Sequence, residues 1–196
     1  MKYGVFGGTF DPPHRGHLAI AEAARTHLEL DEVLIVPNNR NPLKARRSVA
    51  KGDQRMEMAQ LLVQDLPGYA VSDMEITRRG ESFTIDTMDE LAMVRPGEYW
   101  FIMGADGVLS LKDWKGLPRL ARLTRFAIIA RPPYDAALIL EKVPPVLEGR
   151  VDVVPMEPIA VSSTEVRDRL ARARNADDLL TPAVSRYIKA NGLYRT

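Results

Sequence analysis

Two histidines, three positions apart, are the residues whose spacing most clearly favours chemistry. His14 and His17 lie in the stretch Gly7–Leu18, after a pair of glycines and a turn rich in Asp and Pro. An apolar run, Tyr3–Phe6, precedes the glycines, and a helical apolar pattern begins at Leu18. Glycines let backbone amides approach an anion, and a helix start adds unpaired N–H groups and the positive end of its dipole. Residues three apart share one face of a helical turn, so both imidazoles should point at one spot. The stretch therefore predicts a phosphate-binding site.

The composition is typical of a soluble globular protein and excludes several kinds of site. With 196 residues, 45% of them hydrophobic and 27% charged, the chain is expected to form one domain spanning residues 1–196. A net charge of +1 favours neither a nucleic-acid nor a membrane partner. The absence of Cys excludes disulfides and thiolate metal sites and suits a cytoplasmic location. We expect neither a signal peptide nor a membrane-spanning segment.

The alternation of strand and helix patterns predicts an α/β fold with a Rossmann-like, doubly wound parallel sheet. Short apolar runs predict strands over residues 3–6, 32–36, 69–72, 99–103, 126–130 and 151–154. Helical patterns begin near residues 18, 52, 88, 108, 135, 162 and 182, with the second extending to residue 66. The residues from about 160 to 196 are expected to form a small helical C-terminal cap.

Four segments rich in donors or positive charge follow predicted strands or open predicted helices: the glycine stretch and residues 38–47, 104–114 and 162–167. The carboxyl ends of parallel strands meet at one edge of a sheet, so these segments should converge there. They bring Lys44 and Arg167 to the two histidines, but no obvious nucleophile. Such an inventory suits transfer of a phosphoryl-type group, in which positioning and charge stabilisation do most of the catalysis. Taken alone, the basic loop of residues 38–47 would be interpreted as solvated surface, and Ser162 or Ser163 would be interpreted as a helix cap.

The glycine stretch fits neither G-x-G-x-x-G nor G-x-x-x-x-G-K-[ST], but it resembles the G-[GS]-[TS]-F-D-P-x-H-x-G-H signature of the nucleotidyltransferase superfamily. Residues Val161–Arg167 resemble the I-S-S-T-x-x-R motif of its adenylyltransferases. More narrowly, the chain resembles the bacterial nicotinate mononucleotide adenylyltransferases. That likeness covers nearly the whole chain and includes Ser82–Thr87, Gly104–Asp106, Trp114 and the closing tyrosines. Two positions depart from the pattern: Phe83, where many relatives carry Tyr, and Pro133, where Gly is expected.

The resemblance implies that the phosphate of nicotinate mononucleotide attacks the α-phosphorus of ATP, giving deamido-NAD and pyrophosphate. The residues implied to be catalytic are His14, His17, Lys44 and Arg167. Those implied to bind ATP are Gly7, Gly8, Thr9, Phe10, His14, His17, Gly104, Asp106, Ser162, Ser163, Thr164 and Arg167. Those implied to bind nicotinate mononucleotide are Thr9, Lys44, Thr84, Asp86, Asp106, Trp114 and Arg131. No side chain is assigned to a metal, because Mg²⁺ would arrive with ATP, held by phosphate oxygens and water.

Individual roles also follow from the resemblance. His17 would stabilise the charge that grows on the phosphates, and Lys44 and Arg167 would clamp the leaving pyrophosphate, Lys as a point charge and Arg as a planar fork. Trp114 would stack on the nicotinate ring, and Thr84 would offer donors to its carboxylate.

Three alternatives stay open. The chain could be another member of the superfamily, such as a phosphopantetheine adenylyltransferase or a cytidylyltransferase, although the Thr-Ile-Asp-Thr stretch and Trp114 argue against it. It could be a catalytically silent nucleotide-binding regulator, which would have no need of both histidines, Lys44 and Arg167. Asp11 with the two histidines could instead bind a metal, which is a loose match to metal-site spacing.

Overall fold

The structure, a computed structural model, describes residues 1–43, 48–78, 80–157 and 159–195. Within these residues, six parallel strands form one sheet in the order β3-β2-β1-β4-β5-β6. The strands are β1 (Lys2–Gly8), β2 (Glu32–Pro37), β3 (Tyr69–Val71), β4 (Glu98–Gly104), β5 (Arg125–Ala130) and β6 (Val151–Pro155). The predicted α/β class and doubly wound parallel sheet are therefore confirmed.

Helices connect the strands and cover both faces of the sheet. They are α1 (Arg15–His27), α2 (Gly52–Val63), α3 (Met74–Thr77), α4 (Thr84–Val94), α5 (Leu117–Leu123), α6 (Ala136–Lys142), α7 (Ser163–Ala171) and α8 (Pro182–Ala190). Two 3₁₀ helices cover Ala105–Asp113 and Pro145–Leu147. Among the helices of the described residues, none is long and apolar enough to cross a membrane.

Alternate residues of the strands supply two hydrophobic cores, one on each face of the sheet, because successive side chains of a strand point in opposite directions. Phe6, Val33 and Ile35 lie in the core that α1 and α2 cover, whereas Val5 and Leu34 lie in the core that α4 and α5 cover. The C-terminal helices α7 and α8 add Val166, Val184 and Ile188 to the first core. The helical cap is thus packed against the same apolar face as α1 and α2.

The order of the strands reverses between β1 and β4, which is where ligands bind in open α/β sheets. The paired register of these two strands runs from Lys2 with Glu98 to Val5 with Phe101. Past that point the two strands continue to Gly8 and Gly104. The glycine stretch therefore leaves the sheet at the switch point.

Several element boundaries differ from the predicted ones. Helix α2 ends at Val63, three residues early, because Pro67 and Gly68 already favour a turn. Helix α4 begins at Thr84, inside the stretch expected to precede it. The short helix expected at residues 108–111 is a longer 3₁₀ helix. Helices α3 and α5, of 4 and 7 residues, were not predicted, since they are too short to show an apolar period.

Candidate active site

The loop after β1 has a backbone conformation that few residues can adopt. Phe10 has a φ of +49°, in the left-handed region that bulky residues rarely occupy. Its ring is 1% exposed and packs edge-on against Phe6, with centroids 5.5 Å apart. A Cβ atom added to Gly8 would lie 2.9 Å from Cζ of the Phe10 ring, so Gly8 is required for this close approach. The buried ring thus fixes the path of the loop.

His14 and His17 lie side by side at the start of α1, as their spacing predicts. His14 is the residue before the helix and His17 is its third residue. The two rings stack with centroids 3.8 Å apart, and Phe10 packs against the second ring at 5.0 Å. Nδ1 of His17 accepts a hydrogen bond from the His14 amide at 3.2 Å. In the neutral ring the proton therefore lies on Nε2, which makes His17 a hydrogen-bond donor at that atom.

The surroundings of His14 favour its neutral form. The side chain is 6% exposed, and Nδ1 has no hydrogen-bond partner among the described residues. Burial, reinforced by the positive charge of Arg131, lowers the pKa of His14 from 6.5 to about 4. His14 is therefore uncharged at neutral pH, and a positive guanidinium lies near enough to influence it.

Fewer amides of α1 are available to an anion than the sequence predicts. The Arg15 amide donates to the carbonyl of Leu179 at 3.0 Å, and the His17 amide to the carbonyl of His14 at 2.9 Å. Nε of Arg15 adds a bond to the Leu180 carbonyl at 2.9 Å. The Arg15 amide, expected to be unpaired at the helix start, is therefore already bonded, because the segment before α8 is anchored there.

The predicted convergence of α7 on the glycine stretch is present as direct hydrogen bonds. Oγ of Ser163 donates to the carbonyl of Pro12 at 2.9 Å, and Nη1 of Arg167 donates to the carbonyl of Asp11 at 2.7 Å. Nη2 of Arg167 also contacts Oγ1 of Thr164 at 3.2 Å. Ser162 caps α7, with its Oγ accepting from the Glu165 amide at 3.1 Å. Two stretches about 150 residues apart thus form one unit.

Gly16, between the two histidines, faces Val161 in the segment that leads into α7. A Cβ atom there would lie 2.6 Å from Cγ1 of Val161 and 3.1 Å from Nδ1 of His14. A glycine is therefore needed on this face of α1 for Val161 to pack beside the histidines.

A cavity of about 320 Å³ opens on the other side of the glycine stretch. It is lined by Gly7, Gly8, Thr9, Asn38, Asn41, Pro42, Leu43, Glu75, Ser82, Phe83, Thr84, Phe101, Met103, Asp113, Trp114 and Lys115. Trp114 is half-buried and packs edge-on against Phe101, with centroids 5.3 Å apart, while its Nε1 donates to Oγ of Ser110 at 3.2 Å. The indole is held in one orientation, and the cavity can take a flat ring with a polar substituent.

Comparison with known proteins identifies the family. The chain matches the Cytidylyltransferase-like family over residues 5–169. It is 38% identical over 194 residues to a protein of Shouchella clausii named as a probable nicotinate-nucleotide adenylyltransferase, covering 98% of this chain and 96% of that protein. A protein of the same name from a Roseiflexus species is 39% identical over 193 residues, with 98% and 97% covered. The chain belongs to the nicotinate-nucleotide adenylyltransferase family.

Solved structures show the same fold. The nicotinic acid mononucleotide adenylyltransferase of Plasmodium falciparum, complexed with NaAD, superposes with a TM-score of 0.80 at 19% identity, covering 98% of this chain and 97% of that one. The same enzyme complexed with APC gives a TM-score of 0.78, with 98% and 96% covered.

Of the residues that the adenylyltransferase resemblance assigns to the acceptor, Thr9, Thr84 and Trp114 line the cavity. Asp86 does not, and lies 3.6 Å from Nζ of Lys115. Asp106 and Arg131 form an ion pair with each other outside the cavity lining, and Arg131 influences His14. Their predicted binding roles stay predictions.

Three further predicted positions complete the comparison. Lys44 lies outside the described residues, so its role also stays a prediction. A Cβ atom on Gly104 would meet nothing within 4 Å, so the space beside it is open. The loop at Pro133, where the adenylyltransferase pattern has Gly, contains a cis peptide after Pro132 and is closed by a 2.8 Å bond from the Tyr134 amide to the Arg131 carbonyl.

A buried carboxylate at the cavity was not predicted. Glu75, on α3, is 6% exposed and accepts a hydrogen bond from Oγ1 of Thr87 at 2.6 Å. Burial raises its pKa, although hydrogen bonds from Thr87 and Ser82 oppose this. Oγ of Ser82 also accepts from the Asn39 amide at 3.0 Å. Glu75 thus connects α3 to Thr87 of α4 and to Ser82 before it. The sequence does not indicate this role, because it shows only a single acidic residue after a short strand.

Arg55, on α2, was also missed. Its side chain is 1% exposed, and Nη1 donates to the carbonyls of Thr9 and Asn38, each at 2.7 Å. One guanidinium therefore ties the loop after β1 to the loop after β2. The sequence did contain a signal, because Arg55 shares a helical face with the buried Met58 and Leu62, and an Arg on an apolar stripe must find acceptors.

The metal-site alternative finds no support in the geometry. The Asp11 carboxylate accepts from the amides of Val49 and Ala50, at 2.7 and 3.0 Å, and from the hydroxyl of Tyr194 at 2.8 Å. In the part of the chain that the structure describes, no three His, Cys, Asp or Glu side chains cluster as metal ligands do.

Proposed function

We propose that this enzyme transfers the adenylyl group of ATP to nicotinate mononucleotide, giving deamido-NAD and pyrophosphate in NAD biosynthesis. The observation that carries the proposal is a shared loop. Gly8 and Thr9 line the aromatic-walled cavity, while the next residue, Phe10, packs on His17. A ring bound in the cavity and phosphates bound at the histidines would therefore meet across this loop. The near full-length relatives of the chain support the same reaction.

The reaction needs positioning and charge stabilisation rather than a nucleophile from the protein. An oxygen of the acceptor's phosphate, largely ionised at neutral pH, forms a bond to the α-phosphorus of ATP. The bond from that phosphorus to the β-phosphate bridging oxygen breaks, and its electron pair leaves with pyrophosphate. His17 would donate from Nε2 to the oxygens on which charge develops, and the stacked His14 ring and the edge-on Phe10 ring hold its imidazole in place. Lys44 and Arg167 would neutralise the leaving group.

The acceptor end of the cavity favours a carboxylate. Thr84 lines the cavity and is the first residue of α4, so its amide belongs to those that have no acceptor within the helix. An N-terminal helix turn attracts an anion, and Lys115, whose Nζ also lies 3.6 Å from Asp86, lines the same cavity. Nζ of Lys115 also lies 4.4 Å from the centroid of the Phe83 ring. Phe83 occupies the position where many members of the resembled family carry Tyr. These features support nicotinate over nicotinamide mononucleotide.

Magnesium would accompany ATP. Mg²⁺ prefers oxygen ligands and retains water, and ATP supplies phosphate oxygens for it. ATP as the donor and the cytoplasm as the location both belong to this proposal, and the lack of Cys suits a reducing compartment.

The direct test supplies the purified protein with ATP, Mg²⁺ and nicotinate mononucleotide and measures pyrophosphate release. The carboxylate argument is tested by measuring kcat/KM with nicotinate mononucleotide and with nicotinamide mononucleotide. The value for nicotinate mononucleotide should be higher by at least about tenfold. Release with phosphopantetheine but not with nicotinate mononucleotide would move the enzyme to another branch. ATP binding without release for any acceptor would indicate a silent nucleotide-binding protein.

A further inference from the structure

Tyr194, in the segment that follows α8, is buried against the phosphate-binding loop. Its side chain is 8% exposed, and its hydroxyl donates to Oδ1 of Asp11 at 2.8 Å. Its backbone has a φ of +63°, in the left-handed region that is unfavourable for an aromatic residue. A residue stays in such a conformation only where surrounding contacts over-determine it, so Tyr194 is held firmly against Asp11.

Asp11 joins three other segments to the loop. Its two carboxylate oxygens accept from the amides of Val49 and Ala50, which come shortly after Lys44 and lead into α2. Its carbonyl accepts from Arg167 on α7. The Tyr194 hydroxyl is the contact that brings in the segment after α8. A shift of the Asp11 side chain would therefore move the loop relative to the start of α2.

The electrostatics fit a fixed arrangement. Asp11 is 5% exposed, and its carboxylate is surrounded by these donors, with the guanidinium of Arg55 nearby. Burial and the neighbouring Asp11 raise the pKa of the Tyr194 hydroxyl, which keeps it a donor throughout the working pH range. Removing that donor leaves a buried carboxylate oxygen with one partner fewer.

We propose that Tyr194 is a positioning residue for adenylyl transfer, whose hydroxyl holds Asp11 and thereby sets the loop from Thr9 to His14 relative to the start of α2. This inference rests on the proposed function for its kinetic consequences only. Phosphate groups on ATP and acceptor must be aligned for in-line attack, and small misplacements slow the step more than they weaken binding. The hydroxyl should therefore affect kcat more than KM.

The test compares Tyr194→Phe with Tyr187→Phe. Tyr187 lies on α8, packs against the same core, and its hydroxyl makes no hydrogen bond to the described residues. Tyr194→Phe is expected to lower kcat about tenfold with KM for ATP and acceptor within about threefold, while Tyr187→Phe stays within about twofold of wild type. A kcat for Tyr194→Phe within about twofold of wild type would overturn the proposal, as would equal losses in both variants.

A second measurement does not depend on activity. Hydrogen exchange should show the Val49 and Ala50 amides of Tyr194→Phe exchanging about tenfold faster than in wild type, with strand amides unchanged. Unchanged protection at both amides would show that the hydroxyl does not position Asp11. Acceleration of every core amide would indicate general destabilisation and would likewise refute the proposal. This readout stands even if pyrophosphate release shows another acceptor, which is then used for the kinetics.

A double-mutant cycle tests whether Tyr194 acts through Asp11. Asp11→Ala alone should lower kcat, and adding Tyr194→Phe should lower it by less than about twofold more, because no carboxylate remains to accept from the hydroxyl. Independent, multiplicative losses would show that Tyr194 acts by another route and would refute the assignment.

Discussion

Lowering the pH should destabilise the folded protein through one side chain, His14. Its pKa is about 4 in the folded protein against 6.5 for an ordinary His, because burial and Arg131 both disfavour the imidazolium. Below pH 6.5 the unfolded chain binds a proton at His14 that the folded protein does not. The folded protein's preference for neutral His14 therefore contributes its full stability above pH 6.5, and this contribution is lost as the pH falls towards 4.

The size of the effect follows from the difference between the two pKa values. At 1.36 kcal/mol per unit, the shift from 6.5 to about 4 corresponds to at most about 3 kcal/mol, of which about 2 kcal/mol is lost by pH 5. The matched variant is His14→Asn, which offers a similar polar group but does not titrate. The relevant quantity is the difference between the free energies of unfolding of wild type and variant, in which the contributions of the other titrating groups cancel. This difference should fall by about 2 kcal/mol from pH 7.5 to pH 5.

Urea unfolding at three pH values and an NMR titration of the His14 ring together measure this. A His14 ring that titrates near its ordinary pKa would refute the reasoning, as would a stability difference that does not change with pH. Either result would mean that His14 is solvated and can take up a proton near its ordinary pKa in the folded protein. If the reasoning holds, His14 would meet a bound phosphate as a neutral hydrogen-bonding group, and the positive charge that acts on His14 is that of Arg131.

Three further perturbations separate the parts of the site. His17→Ala should lower kcat by about 100-fold or more with little change in either KM, because a donor aimed at developing charge acts in the transition state; equal losses in kcat and affinity would leave only a binding role. Trp114→Ala should raise the acceptor's KM about tenfold or more and leave that of ATP unchanged, since the indole lines only the cavity; an unchanged acceptor KM would remove Trp114 from the site. Gly16→Ala should destabilise the protein by about 1–3 kcal/mol, because the clash with Val161 at 2.6 Å outweighs alanine's helix preference of about 1 kcal/mol. Its control is Gly104→Ala, where a Cβ atom meets nothing within 4 Å, so thermal unfolding should be unchanged; equal shifts in Tm would contradict the packing argument.

The parallel, doubly wound sheet could be predicted from local patterns, and with it the edge at which the loops after its strands meet. Apolar runs of four to six residues, such as residues 32–36 and 126–130, favour buried strands because they are short and rich in β-branched residues, and parallel strands put their following loops at one edge. Short elements resisted prediction. Helix α5 carries Gly116 before it, Pro118 in its first turn and buried Leu117 and Leu120, but seven residues give too little of a period to distinguish it from a loop.

The supporting contacts of the site could not be predicted, because their partners are far apart in the chain. Asp11 reads as a turn residue, and nothing nearby in sequence indicates that its acceptors are filled 38, 39 and 183 residues later. Arg55 could have been suspected from its apolar helical face, but not that it bonds to Thr9 and Asn38. Sequence patterns show which groups a site contains, whereas the groups that hold them are determined by packing.

The two signature stretches contain both substrate-facing and scaffolding residues, which changes how Arg167 should be understood. Its planar fork already spans the Asp11 carbonyl and Oγ1 of Thr164, at 2.7 and 3.2 Å. A guanidinium has five N–H donors, so it can hold the glycine loop with some of them and offer others to a phosphate, which a lysine ammonium on a flexible stem does far less well. The other motif residues of α7 also have structural contacts, because Ser162 caps the helix and Ser163 anchors it to Pro12. The structural and the functional interpretations of this motif are therefore not alternatives, because the hydrogen bonds that fasten α7 to the glycine stretch would also hold it beside a phosphate bound there.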